Sequence, residues 1–108
     1  MKGWMYILKC SDESYYTGST IDLPLRYQRH QEGKGANHTR KHLPVKLIYF
    51  ESFGNIKLAF EREKQIQGWN RKKKEALIRG NYQLLKILAK NYTEHKEEIE
   101  NAWADYIS

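Results

Sequence analysis

Two short apolar segments at the beginning of the chain, separated by a polar turn, constrain the fold more than any other feature. Residues 4–10 and 15–19 have the composition of strands, and the four residues between them, Ser11-Asp12-Glu13-Ser14, have the composition of a turn. Gly18 lies near the end of the second segment, where a missing side chain allows a ligand or another backbone to approach. The sequence therefore predicts a β-hairpin.

Helix signals follow the hairpin. Asp22 is a typical N-cap residue and Pro24 suits the first helical turn, so we predict a helix that ends at Gly33. The predicted elements after it are a basic, glycine-containing loop at 33–41, a third strand at 45–51, helices at 55–69 and 71–79, an apolar-periodic segment at 82–89 and a last helix at 93–106. This order predicts an α+β domain with a small sheet flanked by helices. We assign residues 1–80 to the main domain and residues 81–108 to a C-terminal helical extension packed on it.

Length and charge narrow the choice of function. A chain of 108 residues forms one domain with a small core, so each polar side chain that points inward is costly. The net charge of +6 favours an anionic partner such as nucleic acid. One cysteine excludes an internal disulfide, and no Cys/His group has the spacing of a zinc motif. No apolar run approaches the ~20 residues of a membrane span. We predict a cytoplasmic protein, a monomer or weak homodimer, with no membrane partner.

Two predicted helices carry polar residues on their apolar faces. Leu23, Arg26, Tyr27 and His30 recur at i, i+3, i+4 and i+7 and therefore share one face. Taken singly, Arg26 and His30 are best explained as side chains whose apolar parts pack while their polar tips stay in water.

On the second helix, Glu63 lies between Ala59 and Ile66 on the apolar arc, whereas Glu61 points to the opposite side. A buried carboxylate must be paired, bound to metal or protonated. An ion pair with Arg26 or a lysine and a metal site are equal alternatives for Glu63.

The tyrosines of the hairpin complete a candidate catalytic set. Tyr6 has the same strand parity as Trp4 and Leu8, and Tyr16 lies two residues before Gly18. Phosphodiester hydrolysis requires a carboxylate for a hard divalent cation, an arginine for the charge of the transition state and a general base for water. Tyrosine, with a reference pKa of ~10, is a poor base unless a cation lowers that pKa, whereas histidine suits the task near neutral pH.

These residues together resemble the GIY-YIG nuclease superfamily over about residues 4–75. The matching segments are Trp4-Met5-Tyr6, Tyr16-Thr17-Gly18, the spacing on to Arg26 and His30, and Ala59-x-x-x-Glu63-x-x-Ile66. The chain is most similar to the small stand-alone GIY-YIG proteins of bacteria, whose Tyr-Thr-Gly, Arg-x-x-x-His and Gly-Lys-Gly-Ala segments it also resembles.

The resemblance implies a three-stranded antiparallel sheet flanked by helices and one Mg²⁺ or Mn²⁺ held through Glu63. It implies that Arg26 contacts the scissile phosphate, that Tyr6, together with His30, activates water, and that Tyr16 orients water or phosphate.

One departure from the family pattern bears on the general base. Many members have a lysine where this chain has Ser19, so less positive charge is available to lower the pKa of Tyr6. Tyr6 and His30 both remain candidates for the base. If His30 carries more of this task, the rate of cleavage should rise through about pH 6 to 7, near the reference pKa of histidine.

The basic loop is the predicted nucleic-acid-binding segment. Lys34, His38, Arg40 and Lys41 lie in it directly after the helix of His30, and we prefer this loop to the lysine run at 72–74. Phosphate contacts position a substrate without specifying its sequence. The chain is interpreted as a metal-dependent nuclease acting on DNA, with RNA or branched repair intermediates as other substrates. The alternatives are a non-catalytic nucleic-acid-binding module on the same fold and a protein–protein adaptor.

Overall fold

The computed structural model describes residues 1–81 and 94–107 and begins with the predicted hairpin. Strands β1 (Gly3–Lys9) and β2 (Tyr15–Thr20) pair in antiparallel fashion, and β3 (Lys46–Phe53) pairs antiparallel with the other edge of β1. The resulting order is β2-β1-β3. The middle strand is buried along all but its last residue. This confirms the predicted small antiparallel sheet of three strands.

Helices surround the sheet. Their bounds are α1 (Leu23–Gln31), α2 (Asn37–Lys41), α3 (Ile56–Gln67), α4 (Arg71–Ile78), which continues into a 3₁₀ turn (Arg79–Asn81), and α5 (Lys96–Ile107). The predicted N-caps of α1 and α3 are confirmed. The Asp22 carboxylate accepts a hydrogen bond from the Leu25 backbone N–H at 3.1 Å, and the Asn55 side chain accepts one from the Leu58 N–H at 2.9 Å. Each cap satisfies a backbone donor that the first helical turn leaves without an internal partner.

The sequence predicted a loop over the whole segment 33–41, but Asn37–Lys41 form the short helix α2. Five residues are too few to produce a recognisable periodicity, so the sequence gives no sign of this helix. It is held instead by a tertiary contact, since Thr39 is fully buried beside α1.

The packing places α3 across β1 and β2, while α1 lies against α2. Ile99 of α5 is buried and belongs to the same hydrophobic cluster as the strands. The apolar segment at 82–89 and the predicted cap Thr93 lie outside the described residues. The division into a main domain and an extension therefore stays a prediction. Among the helices of residues 1–81 and 94–107, none combines the length and apolar character needed to cross a bilayer.

Candidate active site

The sheet brings the two motif tyrosines together on one face. In the antiparallel register Tyr6 lies opposite Gly18 and Leu8 lies opposite Tyr16, so both tyrosines project to the same side. Their ring centroids are 6.4 Å apart. A Cβ atom at Gly18 would lie 2.6 Å from Cζ and from the hydroxyl of Tyr6. Gly18 is therefore required because the Tyr6 ring occupies the space of its missing side chain.

His30, on α1, joins Tyr6 in a buried hydrogen bond. Its Nε2 lies 2.8 Å from the Tyr6 hydroxyl, and its Nδ1 lies 2.8 Å from Oγ1 of Thr39 on α2. The Thr39 hydroxyl donates its only proton to the backbone carbonyl of Ala36 at 3.0 Å. It must therefore accept from the Nδ1–H of His30, which leaves Nε2 as the acceptor for the Tyr6 hydroxyl proton. This chain of donors fixes one tautomer of the imidazole.

The segment between α1 and α2 is shaped to hold this imidazole. A Cβ atom at Gly35 would lie 2.2 Å from Nδ1 of His30, so only glycine lets the backbone pass so close to the ring. The polar tip of His30 is fully buried and does not reach water. The expectation from the sequence that this tip stays in water is therefore wrong.

The environment of His30 keeps it neutral. Burial, and after it the charge of Arg26, lower the pKa of His30 from 6.5 to about 4. A group with that pKa does not titrate between pH 6 and 7. The prediction that titration of His30 makes the rate of cleavage rise over that range is therefore wrong. At neutral pH the imidazole is therefore uncharged, and its Nε2 can accept the hydrogen bond from the Tyr6 hydroxyl.

Arg26 lies one turn before His30 and is half-buried. Its guanidinium lies close to the hydroxyls of both Tyr6 and Tyr16. Burial raises the pKa of each tyrosine, and the guanidinium opposes that rise. Tyr6 thus donates a hydrogen bond to His30 while its hydroxyl lies near a cation. The charge of Arg26 favours loss of the Tyr6 proton, whereas burial opposes it.

Glu63 of α3 provides the negative charge of the same site. Its carboxylate lies close enough to Tyr6 and Tyr16 to contribute to the raised pKa of both. Ser19 of β2 donates to Oε1 at 2.7 Å and the Gln67 amide donates to Oε2 at 2.9 Å. Ser19 therefore helps to hold the carboxylate in place.

The surroundings of Glu63 suit a metal ligand. The side chain is 12% exposed, and the closest cation, Nζ of Lys64, lies 3.8 Å from Oε2 and is itself on the surface. A carboxylate oriented by two neutral donors and open on one side fits a hard divalent cation that keeps most of its water ligands. In the part of the chain that the structure describes, the one cluster of three potential metal ligands lies elsewhere, at the hairpin turn. Glu63 would be the protein ligand of such an ion.

Sequence reasoning brought together Tyr6, Tyr16, Arg26, His30 and Glu63, and the structure places all five around one centre. It missed the residues that orient them: Thr39, Gly35, Ser19 in its role as a donor, and Gln67. The Gly-Lys-Gly-Ala segment was a signal for Gly35. No pattern pointed to Thr39 or Gln67, because each acts through a partner on another element.

The predicted nucleic-acid-binding residues lie beside this centre, on the segment that supports His30. Lys34, Arg40 and Lys41 are exposed, and Arg40 donates to the Asn37 side chain at 2.9 Å. His38 differs from them because its Nε2 lies 2.8 Å from the Ser14 hydroxyl of the hairpin turn.

This fold and this set of side chains define a GIY-YIG-type catalytic domain. The family model described as the GIY-YIG catalytic domain matches residues 2–76, and the chain belongs to that family. Such a domain indicates a nuclease-type function.

Relatives with the same organisation are small proteins. The chain is 45% identical over 74 residues to a UPF0213 protein of Haloquadratum walsbyi, a match that covers 68% of this chain and 83% of that protein. It is 49% identical over 75 residues to a UPF0213 protein of Clostridium perfringens, covering 69% and 81% of the two chains. The solution NMR structure of a UPF0213 protein from Bacillus halodurans is similar with a TM-score of 0.51 at 36% identity, over 77% of this chain and 88% of that one. These similarities confirm the predicted fold and the resemblance to small stand-alone GIY-YIG proteins.

The buried His30 makes stability depend on pH. The unfolded chain binds a proton on this side chain below about 6.5, whereas the folded chain does so only below about 4. The contribution of the neutral His30 to the free energy of unfolding should therefore be present in full above about pH 6.5. It should be lost as the pH drops through this window. We expect His30 to account for a loss of about 2 kcal/mol in the free energy of unfolding between pH 7 and pH 5.

Urea unfolding at the two pH values measures this loss, and His30→Gln is the variant that should lack it. An NMR titration of the wild-type protein gives the pKa directly even if the variant does not fold. A His30 pKa near 6.5, equal to that of an exposed histidine, would contradict the prediction.

Proposed function

We propose that this protein is a divalent-metal-dependent nuclease that hydrolyses phosphodiester bonds in nucleic acid, with DNA as its main substrate. The observation that carries the proposal is the hydrogen bond from the Tyr6 hydroxyl to Nε2 of a neutral, buried His30, with the Arg26 guanidinium close to the same hydroxyl. A core that only needed packing would not bury this set of polar groups.

The proposed reaction begins with the tyrosine–histidine pair. Tyr6 passes its proton to Nε2 of His30 as it takes a proton from the attacking water, and the imidazole becomes imidazolium only while the phosphate is being attacked. Thr39 and Ala36 keep the ring in the orientation that this transfer needs. In this scheme neither Tyr6 nor His30 is the base alone: tyrosine contacts water and histidine receives the proton.

Arg26 has two tasks in the proposal. At rest it lies close to the hydroxyls of Tyr6 and Tyr16, and when substrate is present it faces the phosphate. A guanidinium at that position stabilises the charge that develops on the phosphate oxygens. Tyr16 orients the phosphate or the water from the adjacent strand.

Mg²⁺ or Mn²⁺ is the proposed cofactor, with Glu63 as its ligand and Ser19 and Gln67 orienting the carboxylate. When bound, the ion would supply charge stabilisation for the phosphate and the leaving oxygen.

The experiment that tests the proposal is incubation of the purified protein with single-stranded, duplex, nicked and branched DNA and with RNA, in Mn²⁺, Mg²⁺ or EDTA. We expect cleavage of at least one substrate with either metal and none in EDTA. Binding without cleavage of any substrate would favour the non-catalytic nucleic-acid-binding module. The rest of the proposal is a monomer or weak homodimer in the cytoplasm, with branched repair intermediates as a substrate class.

The exposed cations beside the site predict the salt dependence of binding. We expect three to five phosphate contacts from Lys34, Arg40, Lys41 and their neighbours, which gives a log–log slope of affinity against salt of roughly −3 to −4 on duplex DNA. The Glu63→Gln form should be used so that no cleavage disturbs the titration.

Two matched lysine variants identify the segment responsible. Lys41→Ala should reduce the slope by about 0.9, whereas Lys72→Ala, from the rival lysine run, should leave it unchanged. A slope near zero for the parent form would instead support the adaptor interpretation.

A further inference from the structure

A second group of chemically active side chains lies at the turn of the hairpin, outside the candidate active site. Cys10 directly follows β1, Asp12 lies in the turn after it, and His38 belongs to α2, 26 residues beyond Asp12. The Cys10 sulfur, a carboxylate oxygen of Asp12 and a ring nitrogen of His38 all lie within 4.8 Å of one another. The sequence spacing of these residues resembles no zinc motif, and only the fold brings them together.

The three side chains surround the hydroxyl group of Ser14. Oγ of Ser14 donates to Asp12 Oδ1 at 2.5 Å and lies 2.8 Å from Nε2 of His38. The Cys10 thiol also lies near the Ser14 side chain. A sulfur, an oxygen and a nitrogen thus already point at a common centre. Rotation of one serine side chain would leave that centre open.

The backbone holds the group in place from both sides. The Ser11 N–H donates to the His42 carbonyl at 2.9 Å, which fastens the turn to the end of α2, and the Cys10 N–H donates to the Ser14 carbonyl at 2.9 Å. The second oxygen of Asp12 lies 3.5 Å from Nδ1 of His42. Asp12 therefore has one oxygen toward the centre and the other toward a histidine that can orient it.

We propose that Cys10, Asp12 and His38 form a zinc site that clamps the hairpin turn to α2. Thiolate, imidazole and carboxylate are the three ligand types of Zn²⁺, and ligand atoms on a tetrahedral ion lie roughly 3.3–3.6 Å apart, so these residues need to approach by about an ångström. The thiol is buried at the floor of the site, while Asp12 and His38 lie at the surface, which gives the ion a path of entry. On binding, the thiol proton leaves to solvent, and water completes the tetrahedron.

The proposed zinc site is separate from the proposed catalytic centre, but α2 contributes a residue to each of them. His38 is adjacent in sequence to Thr39, whose hydroxyl orients His30. An ion that fixes His38 to the turn would therefore restrain the helix that positions the imidazole.

Cobalt substitution gives the sharpest test, because the chain has a single cysteine. Titration of the whole protein with Co²⁺ should produce a thiolate-to-cobalt charge-transfer band and the visible bands of tetrahedral cobalt, at one ion per chain, and Zn²⁺ should displace both. Cys10→Ser should lack the charge-transfer band. A spectrum of octahedral cobalt without that band in the wild type would overturn the proposal.

Zinc affinity assigns the other two ligands and does not depend on the buried cysteine variant folding. Asp12→Asn and His38→Asn should each weaken Zn²⁺ binding by at least roughly 100-fold, since even an outer partner costs roughly 10–100-fold. His95→Asn, at a partly buried histidine on a distant segment, is the matched control and should bind as the wild type does. Ser14→Ala should retain affinity, because its hydroxyl only competes for the ligand atoms.

Thermal unfolding provides an independent measure. At a zinc concentration of 100 Kd the melting temperature should rise by roughly 10 °C in the wild type and in His95→Asn, but not in His38→Asn. Equal responses of these variants, or no response in any of them, would show that the cluster is only a hydrogen-bonded cap around Ser14. Glu63→Gln should give the wild-type zinc response, which excludes the catalytic carboxylate as the source.

Discussion

Glu63→Gln is expected to abolish metal-dependent cleavage while leaving the fold intact. The substitution keeps the size of the side chain and its ability to accept from Ser19, but it removes the negative charge that would hold the ion. Loss of several kcal/mol of charge stabilisation corresponds to a fall in rate of roughly 10³-fold or more. We expect the free energy of unfolding to change by no more than about 1 kcal/mol, because no cavity is opened.

Glu61→Gln is the matched control for this experiment. It removes the same charge from an exposed position two residues earlier on α3, so its rate should equal that of the wild type. Rates measured at saturating Mn²⁺, with binding of the same DNA measured in parallel, separate catalysis from affinity. If Glu63→Gln cleaves as fast as Glu61→Gln, the carboxylate does not hold the catalytic ion.

Arg26→Ala should lower the turnover number roughly 10²–10³-fold and the affinity for substrate far less. The guanidinium meets most of the phosphate charge in the transition state, and it also lies close to the hydroxyls of Tyr6 and Tyr16. Its removal therefore weakens charge stabilisation and takes away a charge that opposes the raised pKa of Tyr6. Arg26→Lys should recover only part of the rate, because an ammonium cannot reproduce the planar set of donors.

The control for Arg26 lies on the same helix. Arg29→Ala removes an exposed cation from the other side of α1, so it reports any general loss of charge on substrate binding. We expect single-turnover kinetics to show a wild-type rate for Arg29→Ala and the large decrease only for Arg26→Ala. Equal losses in affinity and turnover for Arg26→Ala would mark it as an ordinary phosphate anchor.

The sequence alone predicted the hairpin, the described helices other than α2, and the five polar residues of the candidate site. Patterns of this kind depend on local chemistry. Apolar segments around a polar turn predict paired strands, Asp22 and Asn55 cap the helices that follow them, and a carboxylate on an apolar stripe marks Glu63 as unusual. These signals are present within a few residues along the chain, so no tertiary information is needed to detect them.

The tertiary structure decided how those residues behave. The pKa of His30 falls to about 4 because the folded chain buries the ring beside Arg26, a shift that no neighbour in sequence indicates. Thr39 fixes the histidine tautomer from a helix too short to show a period.

The tertiary structure also accounts for the cluster of Cys10, Asp12 and His38. Cys10 and His38 are 28 residues apart in a sequence without a zinc motif, and they meet because a backbone hydrogen bond from Ser11 to His42 fastens the turn to α2. Local preferences therefore select the elements and the residue types of both sites. Burial, protonation and the meeting of distant side chains are properties of the packed chain, since they depend on which groups exclude water from one another.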